Sequence, residues 1–343
     1  MGSRAFVCVG ALVVVSGCID QGAAVDTAPP PPQVPSEPSL EPWAAAASLR
    51  PAPAVSVDPP DASAPAIVAV EGEEVAPQTV VHLGARWPGS ESDAVVSWSW
   101  SVVQPAGSVS LFYPSSVVAT PTLEVDVAGQ YDFTVDMRSA SGQSASARFM
   151  LFVVPDSAIH VELLWHTPGD TDESDTGLTL GGNSRGSDVD LHTVVRHADE
   201  PPSMAGLAAP FFYNGHDCYW LNPSPPWAGG DDARTPQLDR DDTDGAGPEN
   251  MNLEVIAPGD CYTIGVHYWD DWGYGTSTAT VRVYVMGELE YAAETELGNH
   301  DLWVVGELCG DDPRLVPALD CSEAGCAPVV AHQFPVPVDL GTF

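Results

Sequence analysis

The sequence has 343 residues, with 48 acidic and 11 basic side chains, and every basic one is arginine; the formal net charge is −37. So acidic a surface repels nucleic acid and anionic membranes and attracts cations, which argues against a nucleic-acid partner. Proline and glycine are frequent and apolar residues alternate over short stretches, which favours all-β modules. We therefore predict an all-β fold with two tandem β-sandwich domains after an N-terminal leader and a linker.

Residues 1–17 have the composition of a signal peptide. Arg4 supplies a positive charge, and residues 5–15 form an apolar run that is shorter than the ~20 residues needed to span a bilayer. The run ends in Val15-Ser16-Gly17-Cys18, which resembles the lipobox of bacterial lipoproteins. The resemblance implies lipidation of Cys18, and an ordinary secretory signal with a chance cysteine is the alternative. In enteric lipoproteins an aspartate directly after the lipidated cysteine favours retention in the inner membrane. Ile19 stands at that position here, so we predict an outer-membrane lipoprotein that faces either the periplasm or the cell surface.

Residues 18–65 carry the lipidated cysteine and a linker rich in proline, alanine and serine, including Pro29 to Pro32. Such a stretch buries too little apolar surface to fold, so we predict disorder. Proline favours extended polyproline II, with a rise of ~3.1 Å per residue. The linker is therefore predicted to hold the next domain away from the lipid.

Residues 66–155 form the first predicted sandwich. The predicted strands are Ile67–Val70, Thr79–Leu83, Val95–Val102, Val109–Tyr113, Thr122–Val127, Tyr131–Met137 and Ser144–Val154. Alternation assigns Val96, Trp98, Trp100 and Val102 to one face, which indicates core tryptophans. Seven short strands around a tryptophan strand suggest an immunoglobulin-like sandwich. The tryptophan strand, Ala128-Gly129-Gln130-Tyr131 and Ser141-Gly142-Gln143-Ser144 resemble a PKD domain, which implies a spacer or adhesion module.

Residues 156–308 form the second predicted sandwich, followed by a cysteine-containing tail at 309–343. The predicted strands are Ile159–Trp165, Val189–Val195, Cys218–Leu221, Met251–Ile256, Tyr262–Trp269, Thr278–Val285 and Leu302–Val305. Tyr262–Trp269 and Thr278–Val285 alternate and are joined by a loop containing Gly273 and Gly275. That pattern predicts a hairpin, because glycine permits positive φ in the turn.

Acidic residues cluster in three places in this second sandwich. Alternation places Asp188, Asp190 and His192 on one strand face, and a loop after a strand holds Asp170, Asp172, Glu173 and Asp175. The third cluster consists of Asp239, Asp241, Asp242, Asp244, Glu249 and Asn250. Ca²⁺ takes six to eight oxygen ligands, often from a glycine-containing loop. We predict calcium as cofactor, with Asp188, Asp190 and the third cluster as ligands; zinc through His192 and His267 and a solvated acidic loop are alternatives.

The same segments resemble YfaP-like domains of bacterial secreted and surface proteins. The matching pieces are Asp188-Val-Asp-Leu-His192, Cys218-Tyr-Trp220, Asp242-Thr-Asp-Gly-Ala-Gly-Pro-Glu-Asn250 and Tyr262-Thr-Ile-Gly-Val-His-Tyr268. The resemblance covers about 120 residues. It implies a β-sandwich that brings the strand carrying Asp188 and Asp190 together with the acidic loop. It implies no reaction.

Five cysteines follow Cys18, and an exported protein tends to form disulfides. Cys218 and Cys261 each begin an aromatic strand, so we predict that they pair. Among Cys309, Cys321 and Cys326 two are expected to pair, as Cys321–Cys326 or as Cys309 with one of them. Sequence does not fix this connectivity.

No HExxH, GxSxG, phosphate-loop or GxGxxG motif occurs, so we predict no enzymatic activity. The predicted function is a lipid-anchored extracytoplasmic binding or adhesion protein, with a carbohydrate or an envelope or surface protein as partner. Trp220, Trp227, Trp269 and Trp272 are the candidate ligand aromatics. A purely structural envelope protein is the alternative, and a hydrolase with an unrecognised acidic site is a less favoured one.

Overall fold

The computed structural model describes residues 64–88, 92–173, 186–202, 206–227, 232–243, 245–322 and 325–336. The predicted signal peptide, the Cys18 lipidation site and nearly all of the predicted linker lie outside the described residues. The described chain is built of strands, with short 3-10 helices at Gly206–Ala208 and Asp232–Arg234. Within these ranges, no helix has the length and apolar character that a membrane crossing requires.

Seven strands form the N-terminal sandwich. They are β1 (Ala66–Ala69), β2 (Glu74–Val75), β3 (Thr79–Arg86), β4 (Val95–Val103), β5 (Thr122–Val125), β6 (Gly129–Ser139) and β7 (Ser144–Val153). One sheet has the order β1-β3-β5, and the facing sheet has the order β2-β7-β6-β4. The separation of β1, β3 and β5 from β4, β6 and β7 is that of immunoglobulin-like sandwiches. The prediction of an all-β, immunoglobulin-like first domain is confirmed.

The core of this sandwich follows the period-two pattern of its strands. Tyr131, Phe133 and Val135 of β6 are fully buried, and Trp100 of β4 packs with them. Val96, however, is exposed, because a register shift between Val95 and Ser97 turns the preceding residue inward instead. Such a bulge cannot be recognised from alternation alone.

Residues 109–113 do not form the predicted strand; only Tyr113 makes an isolated bridge, with Thr122. The segment turns instead onto the buried carboxylate of Asp126. Val109 donates its backbone N–H to Asp126 Oδ2 at 2.9 Å, and Tyr131 donates its hydroxyl to Asp126 Oδ1 at 2.8 Å. The carboxylate of Asp126 thus accepts the backbone N–H of Val109, which a neighbouring strand would otherwise accept.

Twelve strands form the C-terminal sandwich. They are β8 (Ile159–His166), β9 (Asp188–Arg196), β10 (Asp217–Cys218), β11 (Gln237–Arg240), β12 (Glu249–Leu253), β13 (Cys261–Asp270), β14 (Ser277–Val285), β15 (Glu288–Leu297), β16 (Leu302–Cys309), β17 (Asp312–Pro317), β18 (Leu319–Asp320) and β19 (Ala327–Ala331). A five-stranded sheet, β11-β12-β8-β14-β15, faces a seven-stranded sheet, β10-β9-β13-β16-β19-β18, in which β17 also pairs with β16. The prediction of two tandem β-sandwiches is confirmed.

Two predictions for this region are wrong. The strands around the loop with Gly273 and Gly275 are not a hairpin, because β13 pairs with β9 and β16 whereas β14 pairs with β8 and β15 in the opposite sheet. The sequence pattern of two alternating strands joined by a turn is the same whether the strands pair within one sheet or lie in two facing sheets. The region predicted as a tail contributes β17 and β19, which pair with opposite halves of β16.

Polar contacts join the two sandwiches. Glu162 of β8 is fully buried and accepts the backbone N–H of Ala128 at 2.6 Å. Arg282 of β14 donates to the carbonyl of Ala106 at 2.7 Å, and Arg240 forms an ion pair with Glu124 at 2.7 Å. The start of the acidic loop is therefore held against the N-terminal sandwich.

Candidate functional site

The site begins with the alternation of β9. Val189 and Leu191 enter the core between the two sheets, so Asp188, Asp190 and His192 project from the opposite face. That face is not solvated, because Asp190 is 2% and His192 0% exposed. The segment around Phe211 and Phe212 and the C-terminal Phe334 pack over it.

The loop between β11 and β12 brings further carboxylates to the edge of β9. Gly247, with φ +83°, passes so close to the backbone of Leu163 that an added Cβ would lie 2.7 Å from its carbonyl oxygen. Asp242 accepts the N–H of Gly247 at 3.0 Å and fixes the turn. The returning strand then places Glu249 where its Oε2 accepts the N–H of Leu191 at 2.7 Å. The strand and the loop therefore meet.

We call Asp188, Asp190, Asp241 and Glu249 the acidic cluster. Carboxylate oxygens of Asp190, Asp241 and Glu249 lie within 4.8 Å of one another. Burial and the charge of Asp188 raise the pKa of Asp190, and burial and the charge of Asp190 raise the pKa of Glu249. Burial and the charges of Asp241, Asp270 and Asp242 raise the pKa of Asp188 to about 7. The cluster is thus hard to ionise without a counterion.

Two oxygens of the acidic cluster are buried without a hydrogen bond. These are Asp188 Oδ1 and Asp190 Oδ2, for which no donor exists in the described part of the chain. A buried carboxylate that lacks donors is unfavourable by several kcal/mol unless a cation replaces them. Since all four groups offer hard oxygen ligands, the donor set fits Ca²⁺.

A histidine pair borders the acidic cluster on the same face. Asp217 Oδ2 lies 2.7 Å from His192 Nδ1 and also accepts the N–H of Phe212 at 2.6 Å. Burial raises the pKa of Asp217, and the neighbouring His192 partly offsets this. Burial lowers the pKa of His267 to about 3, so its ring is neutral at physiological pH. Ligand atoms of Asp190, His192 and His267 lie within 4.8 Å of one another.

The remaining residues predicted as calcium ligands lie elsewhere. Asp239 points to the other side of its strand, where its carboxylate accepts from Asn252. Asn250 alternates with Glu249 and faces the N-terminal sandwich, where its Nδ2 contacts the carbonyl of Asp126 at 3.4 Å. Asp242 supports the loop, and Asp244 lies outside the described residues. A cluster read along the chain does not show which side each side chain faces.

The acidic loop after β8 is held by local hydrogen bonds. Asp170 accepts the backbone N–H groups of Asp172 and Ser187 at 3.1 and 3.3 Å. Glu173 Oε2 lies 2.8 Å from His166 Nδ1. Asp175 lies outside the described residues. Asp170 and Glu173 therefore find donors, unlike Asp188 Oδ1 and Asp190 Oδ2 of the acidic cluster.

The predicted Cys218–Cys261 disulfide is wrong. Cys218 is a buried free thiol, and Cys261 bonds Cys309, with a Cα–Cα distance of 4.0 Å. The reason is the strand order, because β9 lies between β10 and β13, whereas Cys261 is directly opposite Cys309 across β13 and β16. Of the open alternatives in the tail, Cys321–Cys326 is the pair that forms.

The four candidate ligand tryptophans are not equivalent. Trp227 is buried in the core against Tyr262 and is not available to a ligand. Trp220 and Trp269 are partly buried and pack edge to face at 5.7 Å. Trp272, in the loop after β13, is 44% exposed. Its neighbour Asp270 is one of the charges that raise the pKa of Asp188.

The sequence analysis did not identify Asp217, which orients His192, and it named His267 only as an alternative zinc ligand. The signal for Asp217 is its place beside Cys218 in a short strand that pairs with β9. Pairing of β10 with β9, which places Asp217 near His192, depends on the tertiary fold. The position of His267 directly opposite Asp190 likewise follows from the register of β13 and β9.

No protein-family model matches the chain, and no curated protein matches it. Solved structures include the fibronectin(III)-like modules of Clostridium thermocellum CbhA, at 7% identity and a TM-score of 0.21, covering 68% of this chain and 94% of that one. The chicken CNTN1 FN1-FN3 domains share 8% identity at a TM-score of 0.21, covering 79% and 85% of the respective chains. The Yersinia pseudotuberculosis adhesin InvE shares 15% identity at a TM-score of 0.19, covering 68% of this chain and 58% of that one. The assignment of two β-sandwiches follows from the strand order of the sheets in this chain.

Proposed function

We propose that this protein is an exported, lipid-anchored envelope protein whose C-terminal sandwich binds Ca²⁺ at the acidic cluster. The observation that carries the proposal is the pair of buried oxygens, Asp188 Oδ1 and Asp190 Oδ2, that lack donors beside two further carboxylates. Calcium would supply the charge that these oxygens need. We propose no catalytic step for this protein.

The position of the acidic cluster gives the ion a structural role. Asp188 and Asp190 belong to β9 in the seven-stranded sheet, whereas Glu249 begins β12 in the five-stranded sheet. Asp241 belongs to the loop that connects β11 with β12. A cation held by all four residues would join the two sheets and the loop at one end of the sandwich, which would stabilise the folded state.

Export and lipidation rest on the sequence. The Val15-Ser16-Gly17-Cys18 segment resembles a lipobox, and the two disulfides favour an oxidising compartment. We expect Cys18→Ala to move the protein from the membrane fraction to the soluble fraction. Membrane attachment that persists in Cys18→Ala would contradict the lipid anchor, while outer-membrane fractionation of the wild type tests the predicted location.

A binding or adhesion role for the calcium-loaded sandwich depends on exposed Trp272. An exposed indole beside acidic side chains is typical of a carbohydrate- or protein-binding surface. We expect Trp272→Ala to reduce calcium-dependent binding on a glycan array or to envelope extracts, while Met286→Ala, at another exposed apolar residue, leaves it unchanged. The second candidate is a purely structural envelope protein, favoured by the burial of Trp227 and the packing of Trp220 on Trp269.

Thermal unfolding of the full chain with calcium or with chelator tests the calcium site. At a calcium concentration 100-fold above Kd, binding stabilises the folded state by about 2.7 kcal/mol, which raises the midpoint by roughly 5–10 °C. Glu249→Gln should remove most of that increase. Asp239→Asn is the matched control, since it makes the same charge change in the same segment but faces Asn252. A wild-type midpoint that calcium leaves unchanged would refute the proposal.

A further inference from the structure

The histidine pair beside the acidic cluster has unsatisfied nitrogen atoms. His192 Nε2 and both ring nitrogens of His267 are buried and make no hydrogen bond to any described residue. Both side chains are 0% exposed. A neutral imidazole has one donor and one acceptor, so leaving both of them unpaired in the interior is unfavourable by about 1–3 kcal/mol for each group.

These nitrogens converge on a third unsatisfied atom. Asp190 and His192 are two residues apart on one face of β9, and His267 is directly opposite Asp190 on β13. Asp190 Oδ2 is buried without a donor in the described chain. The ligand atoms of the three residues lie within 4.8 Å of one another. A bound tetrahedral zinc ion, with bonds of ~2.0–2.2 Å, would draw these atoms to a spacing of ~3.3 Å.

The surroundings match those of a metal-binding histidine. Asp217 holds His192 Nδ1 at 2.7 Å, which leaves the unsatisfied Nε2 as the ligand atom, and this carboxylate–histidine arrangement orients metal ligands in other proteins. Tyr219 stacks on His192 with ring centroids 5.1 Å apart, and Phe212 lies 4.6 Å from the same ring. Gly265 is opposite His192, and a Cβ there would lie 2.5 Å from Phe211, so glycine permits the aromatic cover.

We propose that Asp190, His192 and His267 bind a second dication, zinc or a similar first-row transition metal, in addition to the calcium ion. Two imidazoles and one carboxylate suit zinc and its neighbours, whereas calcium prefers oxygen alone. Charge supports two ions. The acidic cluster carries four negative charges when ionised, and one Ca²⁺ neutralises two of them. Asp190, with two oxygens, would lie between the two ions. Because the site is buried, the metal would enter during folding and would act as a structural ion.

Zinc content and zinc coordination test this proposal on the full chain. The protein is unfolded in chelator with its disulfides intact, refolded in saturating calcium, and supplied with zinc. We expect one zinc per chain by elemental analysis, and two imidazole ligands by X-ray absorption at the zinc edge. The absorption measurement uses wild-type protein, so it decides the point even where a variant fails to fold. Zinc without imidazole ligands, or no zinc uptake, would overturn the proposal.

Variants separate this site from the calcium site. His267→Phe should lower zinc affinity at least 100-fold, and Asp217→Asn should lower it by about 10–100-fold because His192 loses its orienting carboxylate. His332→Ala is the control, as that histidine is 78% exposed and contacts Asp301. Glu249→Gln should leave zinc affinity within a few-fold of wild type while it weakens the calcium response. His267→Phe that binds zinc as tightly as wild type would refute the proposal, whatever the calcium result.

Discussion

Asp126 in the N-terminal sandwich and Asp190 in the C-terminal sandwich are both buried, but their carboxylates differ in the hydrogen-bond donors around them. Asp126 in the N-terminal sandwich is 3% exposed and accepts hydrogen bonds from Val109 N–H, the Tyr131 hydroxyl and Ser108 Oγ. Asp190 in the C-terminal sandwich is 2% exposed, faces other carboxylates and has an oxygen without a donor among the described residues. The protein therefore supplies hydrogen-bond donors to both carboxylate oxygens of Asp126, whereas one oxygen of Asp190 lacks a donor among the described residues.

The difference shows how to distinguish a structural acid from a cation ligand. Asp126 lies at a corner where Tyr131 also accepts the N–H of Val127 at 3.1 Å, so the protein itself supplies every donor. Around Asp190 the nearest polar groups are carboxylates and the rings of His192 and His267, and no described group donates to Asp190 Oδ2. Burial alone does not separate the two cases, whereas the count of donors does.

The largest expected effect tests whether covalent links distinguish the two sandwiches. The region from 66 to 155 contains no cysteine, whereas Cys261–Cys309 closes a loop of 48 residues in the C-terminal sandwich. Chain entropy predicts that the Cys261→Ala/Cys309→Ala double variant loses about 4 kcal/mol of unfolding free energy. The Cys321→Ala/Cys326→Ala control, with a separation of 5, should lose about 2 kcal/mol. Equal losses in urea titrations would contradict this ranking.

The next effect concerns the satisfied acid. Asp126→Ala leaves the donors of Ser108, Val109 and Tyr131 without an acceptor in the interior, so we expect a loss of about 3 kcal/mol. The loss should be the same in calcium and in chelator, because Asp126 needs no ion. Asp136→Ala, at an exposed position of the same sandwich, should change stability by less than about 0.5 kcal/mol. A loss that depends on calcium would place Asp126 with the acidic cluster instead.

Much of the fold could be predicted because β-strands carry a local signal. Alternation of Tyr131, Phe133 and Val135, and of Val189 and Leu191, correctly assigned the buried faces of β6 and β9. The pairing of strands could not be predicted, because it depends on contacts distant in sequence. The false hairpin between β13 and β14 and the false Cys218–Cys261 bond both come from this missing information.

The candidate site was predicted in the same partial way. Asp188, Asp190, Asp241 and Glu249 were identified from their spacing, and they come together because the loop after β11 returns along β9. Asp239 and Asn250, which were also predicted as ligands, lie away from the acidic cluster, because side-chain direction is set by the pairing of β11 and β12. The His192–Asp217 and His267–Asp190 contacts need the register of three strands. No local pattern encodes that register.

The pH dependence of stability in chelator sharpens the contrast between the two sandwiches. Asp188 has a folded pKa of about 7, above the model-peptide value of 3.8. Its stabilising effect is therefore complete at low pH and is lost as the pH rises through 7. His267 acts in the opposite direction, and most of its effect falls below its unfolded pKa of about 6.5. From pH 6.5 to 8 we expect a loss of about 1 kcal/mol from Asp188 alone.

Urea midpoints at several pH values between 6.5 and 8 measure this loss. Saturating calcium should reduce it, because the ion favours the ionised carboxylates. Asp188→Asn removes the titrating group, so the same titration in chelator should be flatter than that of wild type. Stability that rises with pH over this window in chelator would show that the acidic cluster is already neutralised by protein donors.

The smallest expected effect is that of Asp241→Asn on stability, which should change sign between chelator and calcium. In chelator, Asp241 adds repulsion to the acidic cluster, since its charge raises the pKa values of Asp188, Asp190 and Glu249. We therefore expect Asp241→Asn to stabilise the metal-free protein by about 0.5 kcal/mol, a modest gain because the residue is partly solvated. In calcium the same change removes a ligand and should destabilise the protein. Asp239→Asn, two residues away, should show no such reversal, and a reversal there would mean that the ion lies on the Asn252 side of the strand.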